Sequence, residues 1–161
     1  MSVTSVHKDP QTLTMSVTAT FDAPVEQVWE VWADARKLER WWGPPTYPAT
    51  VVEHELAPGG RVTYFMTGPE GDQPKGWWRV LAVDAPRRLE FEDGFADDAG
   101  EPNPNMPTTT TRVSLTELEN GGTSMVIETR SPTLAAMEQM VEMGMEEGIT
   151  LAIGQIDGLL G

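Results

Sequence analysis

Alternation of apolar and polar residues predicts a β-strand near the start of the chain. From Thr12 to Thr20, every second residue is apolar and the residues between them are serine or threonine. This period of two is typical of a strand with one buried face, and Thr and Val both favour β structure. The preceding residues show no such pattern. We therefore expect residues 1–11 to form a flexible arm and residues 12–161 to form a single domain.

Two short helices are predicted after this strand. Pro24 suits the first turn of a helix, where no backbone N–H is needed, and apolar residues follow at helical spacing, which predicts a helix over residues 24–33. Asp34 can cap a second helix over residues 36–40. The motif Gly43-Pro44-Pro45 ends that helix, because the residue before a proline avoids helical backbone angles.

The middle of the chain is rich in β-forming residues, interrupted by short runs of Gly, Pro, Asn and Asp. Short separators between consecutive strands predict antiparallel hairpins. The separator over residues 93–107 is longer than a hairpin loop, and we expect it to be a flap or a cover. The predicted strands span residues 48–56, 61–67, 76–83, 88–92, 109–117 and 124–129.

The last part of the chain predicts one long amphipathic helix over residues 131–160, with Ser131 as its cap. At about 100° per residue, its apolar side chains occupy one broad arc. Gly144 and Gly148 fall on that arc one turn apart, and their missing side chains predict a hollow between helix and sheet. Met143 falls on the polar side, where an apolar residue favours a homodimer contact.

Several motifs, taken in order, resemble those of a known family. The segment FDAPVEQVW after the first strand resembles the opening of START-like (SRPBCC) domains, and WWGP, LAPGGR and VDAPRRL resemble the branch named after the activator of heat-shock-protein-90 ATPase. The resemblance covers roughly residues 12–160. It implies an α+β helix-grip fold: an antiparallel curved β-sheet wrapped around a long C-terminal helix, with two short helices after the first strand. It also implies a cavity for an apolar or amphipathic small molecule.

Two features depart from the family pattern. The co-chaperones that gave the branch its name carry an additional N-terminal chaperone-binding domain, for which this chain has no room. Many members also place a Trp directly after the second glycine of the last helix, where this chain has Ile149. The first departure makes chaperone activation a weaker expectation, and the second implies a differently shaped pocket.

Tryptophan pairs supply the first candidates for the cavity wall. In adjacent residues of a strand, one side chain points to each face. Counting from the core-like Val80 places Trp78 toward the cavity and Trp77 toward solvent or a partner. Trp41 and Trp42 end the second short helix, at the expected mouth of the cavity, and we expect one of them to touch a ligand.

His54 and Tyr64 are the polar candidates, as anchors for a ligand or as catalytic groups. His54 alternates with Val52 and Leu56, which points its ring inward, and imidazole can act as a general base near neutral pH. The alternative is a hydrogen-bonded histidine of the core or rim. The predicted ligand-binding set is Trp32, Trp41, Trp42, His54, Tyr64, Trp78, Phe91, Met137, Val141, Gly144, Met145 and Gly148.

Charge and composition exclude several classes of molecule as binding partners. The 161 residues include 11 Lys and Arg against 25 Asp and Glu, a net charge of −14, which repels nucleic acids and anionic membranes. The absence of cysteine excludes disulfides and thiolate metal sites, and a cytoplasmic location is expected. The acidic segment over residues 93–101 lacks the ligand spacing of a calcium loop and is expected to be solvated. We expect neither a metal nor a cofactor.

Three functional hypotheses follow. The leading one is binding of a hydrophobic or aromatic small molecule between the sheet and the last helix. The second is a small enzyme of the cyclase, aromatase or hydrolase type that uses the same cavity. The third is a chaperone-regulator-like interaction module that uses the outer surface.

Overall fold

The computed structural model of the protein describes residues 3–160, which form an eight-stranded antiparallel sheet and four α-helices. The strands are β1 (Val3–Asp9), β2 (Thr14–Phe21), β3 (Ala49–His54), β4 (Arg61–Met66), β5 (Lys75–Asp84), β6 (Arg88–Ala96), β7 (Thr109–Glu117) and β8 (Thr123–Arg130). The helices are α1 (Val25–Ala33), α2 (Ala35–Trp41), α3 (Leu134–Glu142) and α4 (Met145–Ile153), and a 3-10 turn follows at Ile156–Leu159. The strand order is β1-β2-β8-β7-β6-β5-β4-β3.

This arrangement confirms the α+β helix-grip fold. The curved open sheet carries its buried side chains on the face that meets the helices, and one continuous apolar core joins β2, α1, α2, the central strands and the C-terminal segment. In β2 the predicted alternation is observed, with Met15, Val17 and Ala19 buried. Each predicted strand of the middle region is present, with ends shifted by a few residues.

Both short helices begin as predicted. Pro24 is the residue before the first turn of α1. Asp34 caps α2, because its carboxylate accepts hydrogen bonds from the backbone N–H groups of Arg36 and Lys37. These bonds satisfy donors that the first helical turn leaves free. Asp34 is also the last residue before α2 and the C-cap of α1, so the two helices follow each other directly, and their tryptophans are buried in the same core.

The prediction of a flexible arm is wrong for residues 3–9, which form the edge strand β1. Backbone pairing with β2 holds this segment in place, with Val6 opposite Val17 and Lys8 opposite Met15. The Lys8 ammonium also lies 2.6 Å from the Glu146 carboxylate of α4. An edge strand with one solvated side needs little apolar alternation, so the hydrophobic pattern of the sequence does not indicate β1. Residues 1 and 2 of the predicted arm lie outside the described residues.

A β-bulge in β3 overturns the predicted alternation around His54. The register shifts between Val51 and Glu53, so the inserted Val52 has no partner in β4. Val51 is 3% exposed and Val52 is 65% exposed, the reverse of the expected orientation. A bulge changes which side chains face inward on one strand only, and nothing in the local sequence announces it.

The long C-terminal helix is also a wrong prediction, because the chain breaks at Gly144. Its backbone has φ of +84°, in the left-handed region that favours glycine, and it joins α3 to α4. The break changes the direction of the second helix, so a single arc cannot describe both. Three residues predicted to face inward are consequently exposed: Leu134, Val141 and Leu151.

Gly144 and Gly148 should respond oppositely to alanine. Gly144→Ala places a side chain at a left-handed φ and is expected to destabilise the fold by about 1 kcal/mol. Gly148→Ala lies inside α4, where a Cβ meets no atom within 4 Å, and is expected to stabilise by roughly 0.5–1 kcal/mol through helix propensity. Urea unfolding of both variants measures the difference. Equal effects of the two substitutions would contradict the break at Gly144.

Candidate functional site

A cavity of about 280 Å³ lies between the sheet and the C-terminal helices. Strands β2, β4, β6, β7 and β8 form its floor, and α3, α4 and the residues between them form its roof. Gly148 of α4 leaves open space above the floor, since a Cβ there would touch nothing. The wall is largely apolar and unusually rich in methionine: Met15, Met66, Met140, Met143 and Met145 line it, together with Ile127 and Ile149.

One end of the cavity is polar and is built around Asp93. Its Oδ1 accepts hydrogen bonds from Thr109 Oγ1 at 2.7 Å and Thr111 Oγ1 at 3.2 Å. Thr109 lies directly opposite Asp93 across the β6–β7 ladder, so the register brings these groups together. Burial raises the pKa of the Asp93 carboxyl to about 6, and the two threonine hydroxyls only partly offset this effect.

Tyr64 lies beside this end and completes the polar surface of the floor. Burial raises the pKa of its phenol, and the charge of Asp93 raises it further, so the hydroxyl is neutral at physiological pH. The backbone at Gly76, opposite Tyr64 in β5, carries no side chain, and a Cβ there would overlap the Tyr64 ring. The glycine is thus what allows the phenol to lie across the sheet.

Two buried indole N–H groups face the same region. Those of Trp42 and Trp78 lower the pKa of Tyr64, which places them near its hydroxyl. Neither reaches hydrogen-bond geometry, and both lack a hydrogen-bond partner among the described residues. A buried donor without an acceptor is unfavourable by roughly 1–3 kcal/mol. Trp42 lines the cavity, so a ligand oxygen or a water could supply the missing acceptor.

The structure brings together only some of the predicted ligand-binding residues. Trp42, Tyr64, Met145 and Gly148 line the cavity. Met137 is buried away from it, and Val141 and Gly144 are exposed. Gly144 therefore does not contribute to the hollow that was predicted from the pair of glycines. Four further predicted residues are fully buried in an aromatic cluster beneath the cavity: Trp32, Trp41, Trp78 and Phe91.

These four residues of the aromatic cluster do not line the cavity. Trp42 packs against them and does line it. Trp78 stacks on Phe91 with ring centroids 4.0 Å apart, and Trp42 meets the edge of Trp78 at 4.9 Å. The Trp41 indole donates to the Val31 carbonyl at 2.8 Å. Of the two tryptophans expected at the mouth, Trp42 is the one placed to contact a ligand.

His54 lies outside the cavity. Its Nε2 is 3.0 Å from the carbonyl oxygen of Trp32, at the edge of the sheet where β3 begins to diverge from regular pairing. The ring is half-buried, and its contact is with backbone. The position matches the alternative interpretation, a hydrogen-bonded rim histidine, and leaves Tyr64 as the polar candidate that reaches the cavity.

Trp77 points away from the cavity, as expected, but it is covered by protein and not by solvent. It is 8% exposed, and its Nε1 donates to the Phe95 carbonyl at 3.1 Å. The ring lies on the outer face of the sheet, where Gly100 and Pro102 border the same surface cleft. The segment after β6 thus folds back over this indole.

Asp93 is the residue of this candidate site that the sequence pattern does not predict. The pattern favours a solvated acidic loop from residue 93, whereas β6 continues through Ala96 and carries Asp93 on its inner face. The signal was present, because Leu89 and Phe91 alternate inward and Asp93 is the next residue in that series. Thr109 and Thr111 likewise belong to the inward series of β7, four and two residues before Val113.

The rest of the acidic segment is an ordered turn. The Asp97 carboxylate accepts hydrogen bonds from the backbone N–H groups of Ala99 and Glu101, and Ala96 pairs with Pro102. Within residues 3–160, no three His, Asp or Glu side chains lie close enough together to hold a metal ion. No helix in this range is long and apolar enough to cross a membrane.

The fold and the cavity define the class of protein. An antiparallel sheet packs around C-terminal helices and leaves a cavity between them, as in START-like proteins. The family model described as Activator of Hsp90 ATPase homolog 1-like protein matches residues 22–161. The chain belongs to this family. No curated protein gives a significant match.

Solved structures show the same fold. A crystal structure of a Mycobacterium smegmatis protein is 48% identical, with a TM-score of 0.91 over 99% of this chain and 97% of the other. A solution structure of an Arthrobacter aurescens protein is 49% identical, with a TM-score of 0.94 over 99% and 92% of the two chains. A Silicibacter pomeroyi protein of 19% identity shares the fold, with a TM-score of 0.72 over 90% and 95%.

Asp93 should make the stability depend on pH. Folding raises the pKa of its carboxyl from 3.8 to about 6, so folding favours the protonated form. The resulting stabilisation is complete below about pH 4 and is lost as the pH rises through about 6. Asp93→Asn keeps the oxygen that both threonines contact and removes the charge. We expect it to raise the free energy of unfolding at neutral pH by up to about 3 kcal/mol, with little effect near pH 4.

Urea unfolding at several pH values between these limits measures this effect. Asp98→Asn is the matched control, since Asp98 is an exposed carboxylate of the following loop, and its substitution should leave the pH profile unchanged. The assignment of a desolvated carboxyl to Asp93 fails if Asp93→Asn is no more stable than the parent protein at neutral pH.

Proposed function

We propose that the protein binds a hydrophobic or aromatic small molecule in the cavity between the sheet and α4. The observation that carries this proposal is an apolar space of about 280 Å³ with one polar end. An engineered cavity of about 150 Å³ is known to accept benzene. A space nearly twice as large suits a molecule of about two rings.

The chemistry of the wall supports the same proposal. Methionine side chains are flexible and polarizable, so five of them can adapt to ligands of different outline. Apolar burial gives roughly 25 cal/mol per Å², so about 200 Å² of buried ligand surface contributes about 5 kcal/mol before the losses of association. The polar end, with Tyr64 and Asp93, would fix the orientation of the ligand.

Filling the cavity should weaken binding. The probe is 1-naphthalenemethanol, a neutral two-ring molecule, and its affinity is measured by isothermal titration calorimetry. Gly148→Leu places an apolar side chain in the open space under α4 and is expected to weaken binding about tenfold or more, the equivalent of about 1.4 kcal/mol.

The matched control is Gly154→Leu. Gly154 ends α4 with an ordinary helical φ, and a Cβ there has only normal contacts at 3.5 Å or more. Its affinity for the probe should equal that of the parent protein. Binding that is unaffected by Gly148→Leu, or reduced equally by both substitutions, would place the ligand elsewhere.

Catalysis in the same cavity is the second candidate, and Asp93 is the observation that favours it. A carboxyl whose pKa is raised to about 6, beside the Tyr64 phenol in an apolar site, suits general acid–base chemistry. The hypothesis of a cyclase-, aromatase- or hydrolase-type enzyme would then rest on Asp93 and Tyr64, with His54 excluded by its position. Native mass spectrometry of gently purified protein would test it: a retained molecule should be converted by the parent protein and remain unconverted in Asp93→Asn.

The family description keeps a chaperone-related role as a third candidate. Such a role would use the outer surface and would need no internal space, so the open cavity ranks it below small-molecule binding. Co-purification with a chaperone ATPase would raise its rank. The cytoplasmic location remains a prediction.

A further inference from the structure

Asp93 is the one charged side chain among the described residues that line the cavity. Both threonine hydroxyls bind its Oδ1, and none of the hydrogen bonds between described residues ends on Oδ2. None of the ion pairs found within residues 3–160 involves this carboxylate either. The cavity thus contains a negative charge that no protein cation neutralises.

We propose that the ligand of the cavity is a cation: an apolar molecule of about two rings with one ammonium group that pairs with Asp93 Oδ2. This inference rests on the proposed function of the cavity and adds the charge of its ligand. A carboxylate within an apolar wall is unfavourable when unpaired and attracts an opposite charge strongly, because little water screens the interaction. The same charge repels anionic ligands such as fatty acids.

Among residues 3–160, no cation competes for Asp93. From β5 its cross-strand neighbour is Trp78, and from β7 it is Thr109. From β4 the neutral Tyr64 phenol faces it, and the adjacent Glu92 adds a further negative charge. The cavity residues from α3 and α4 are methionine, glycine and isoleucine, which carry no charge.

Two further features favour a cation over a neutral molecule. Trp42 and Tyr64 line the cavity, and an ammonium group over an aromatic face gains cation–π attraction. The net charge of −14 produces a negative potential over the whole protein, which raises the local concentration of cationic ligands.

Three probes of matched shape test the proposal by calorimetry at about pH 7.5: 1-naphthylmethylamine, 1-naphthalenemethanol and 1-naphthoate. We expect the amine to bind about tenfold or more tightly than the alcohol, since hydrogen bonds between charged groups are markedly stronger than neutral ones. We expect naphthoate to bind at least about tenfold more weakly than the alcohol.

Asp93→Asn removes the charge and keeps the shape. The affinity for the amine should fall about tenfold, and its advantage over the alcohol should disappear. Asp98→Asn is the matched control and should preserve the advantage of the amine. A second measurement needs no variant: in the parent protein, lowering the pH from about 7.5 to 5 protonates Asp93 and should weaken amine binding but not alcohol binding.

The outcomes separate the two proposals. If the alcohol binds and the amine shows no advantage, or keeps its advantage in Asp93→Asn and at low pH, the cationic ligand is wrong and the binding cavity stands. If none of the three probes binds, the proposed binding of two-ring molecules is wrong, and this inference falls with it.

Discussion

Burial of Trp32 between the short helices and the sheet is the constraint on which the site depends. Its ring meets those of Trp41, Trp42, Trp78 and Phe91 at centroid distances of 4.8 to 6.3 Å, and its N–H points at the Met125 sulfur at 3.4 Å. Such clusters combine large apolar burial with favourable edge-on geometry. They fill one end of the space under the sheet completely, so the cavity begins where the aromatic packing stops. Trp42 belongs to both regions and forms the boundary.

On the cavity side of Trp42, flexible methionines and the carboxyl group of Asp93 replace the rigid aromatic rings. A carboxylate with two threonine donors and no paired cation is unfavourable in a structural core, because the free-energy cost of its desolvation opposes folding. Departures from good packing of this kind are concentrated at functional sites. The polar end of the cavity therefore stands out from the otherwise apolar interior, whichever of the candidate functions holds.

The fold could be predicted from the sequence because turn residues, helix caps and strand alternation are local signals. Asp34 and Pro24 are examples, since each acts through bonds or backbone angles within a few residues. The site depended on longer-range geometry. Tyr64 is a polar candidate that the sequence predicts. Asp93 is not, because the predicted strand ends at residue 92, whereas β6 continues to Ala96.

The errors elsewhere have equally specific causes. The single helical arc failed on both sides of Gly144, because one left-handed residue gives the segments before and after it different directions. The predicted orientation of Val52 was wrong because the bulge at this residue shifts a register that simple alternation assumes to be regular. In both cases a single backbone irregularity controls the direction of many side chains. Periodicity alone carries no information about such an interruption, although glycine is the residue that permits one.

The two edge strands of the sheet, β1 and β3, have features that affect association with other molecules. At one border the polar strand β1 covers β2, and at the other the irregular β3 interrupts its own hydrogen-bonding edge. Irregular or polar margins discourage strand addition from a neighbouring molecule. Self-association through a continuous intermolecular sheet is thereby disfavoured. Four of the exposed apolar side chains lie instead on the helical side of the molecule: Leu134, Val141, Met143 and Leu151.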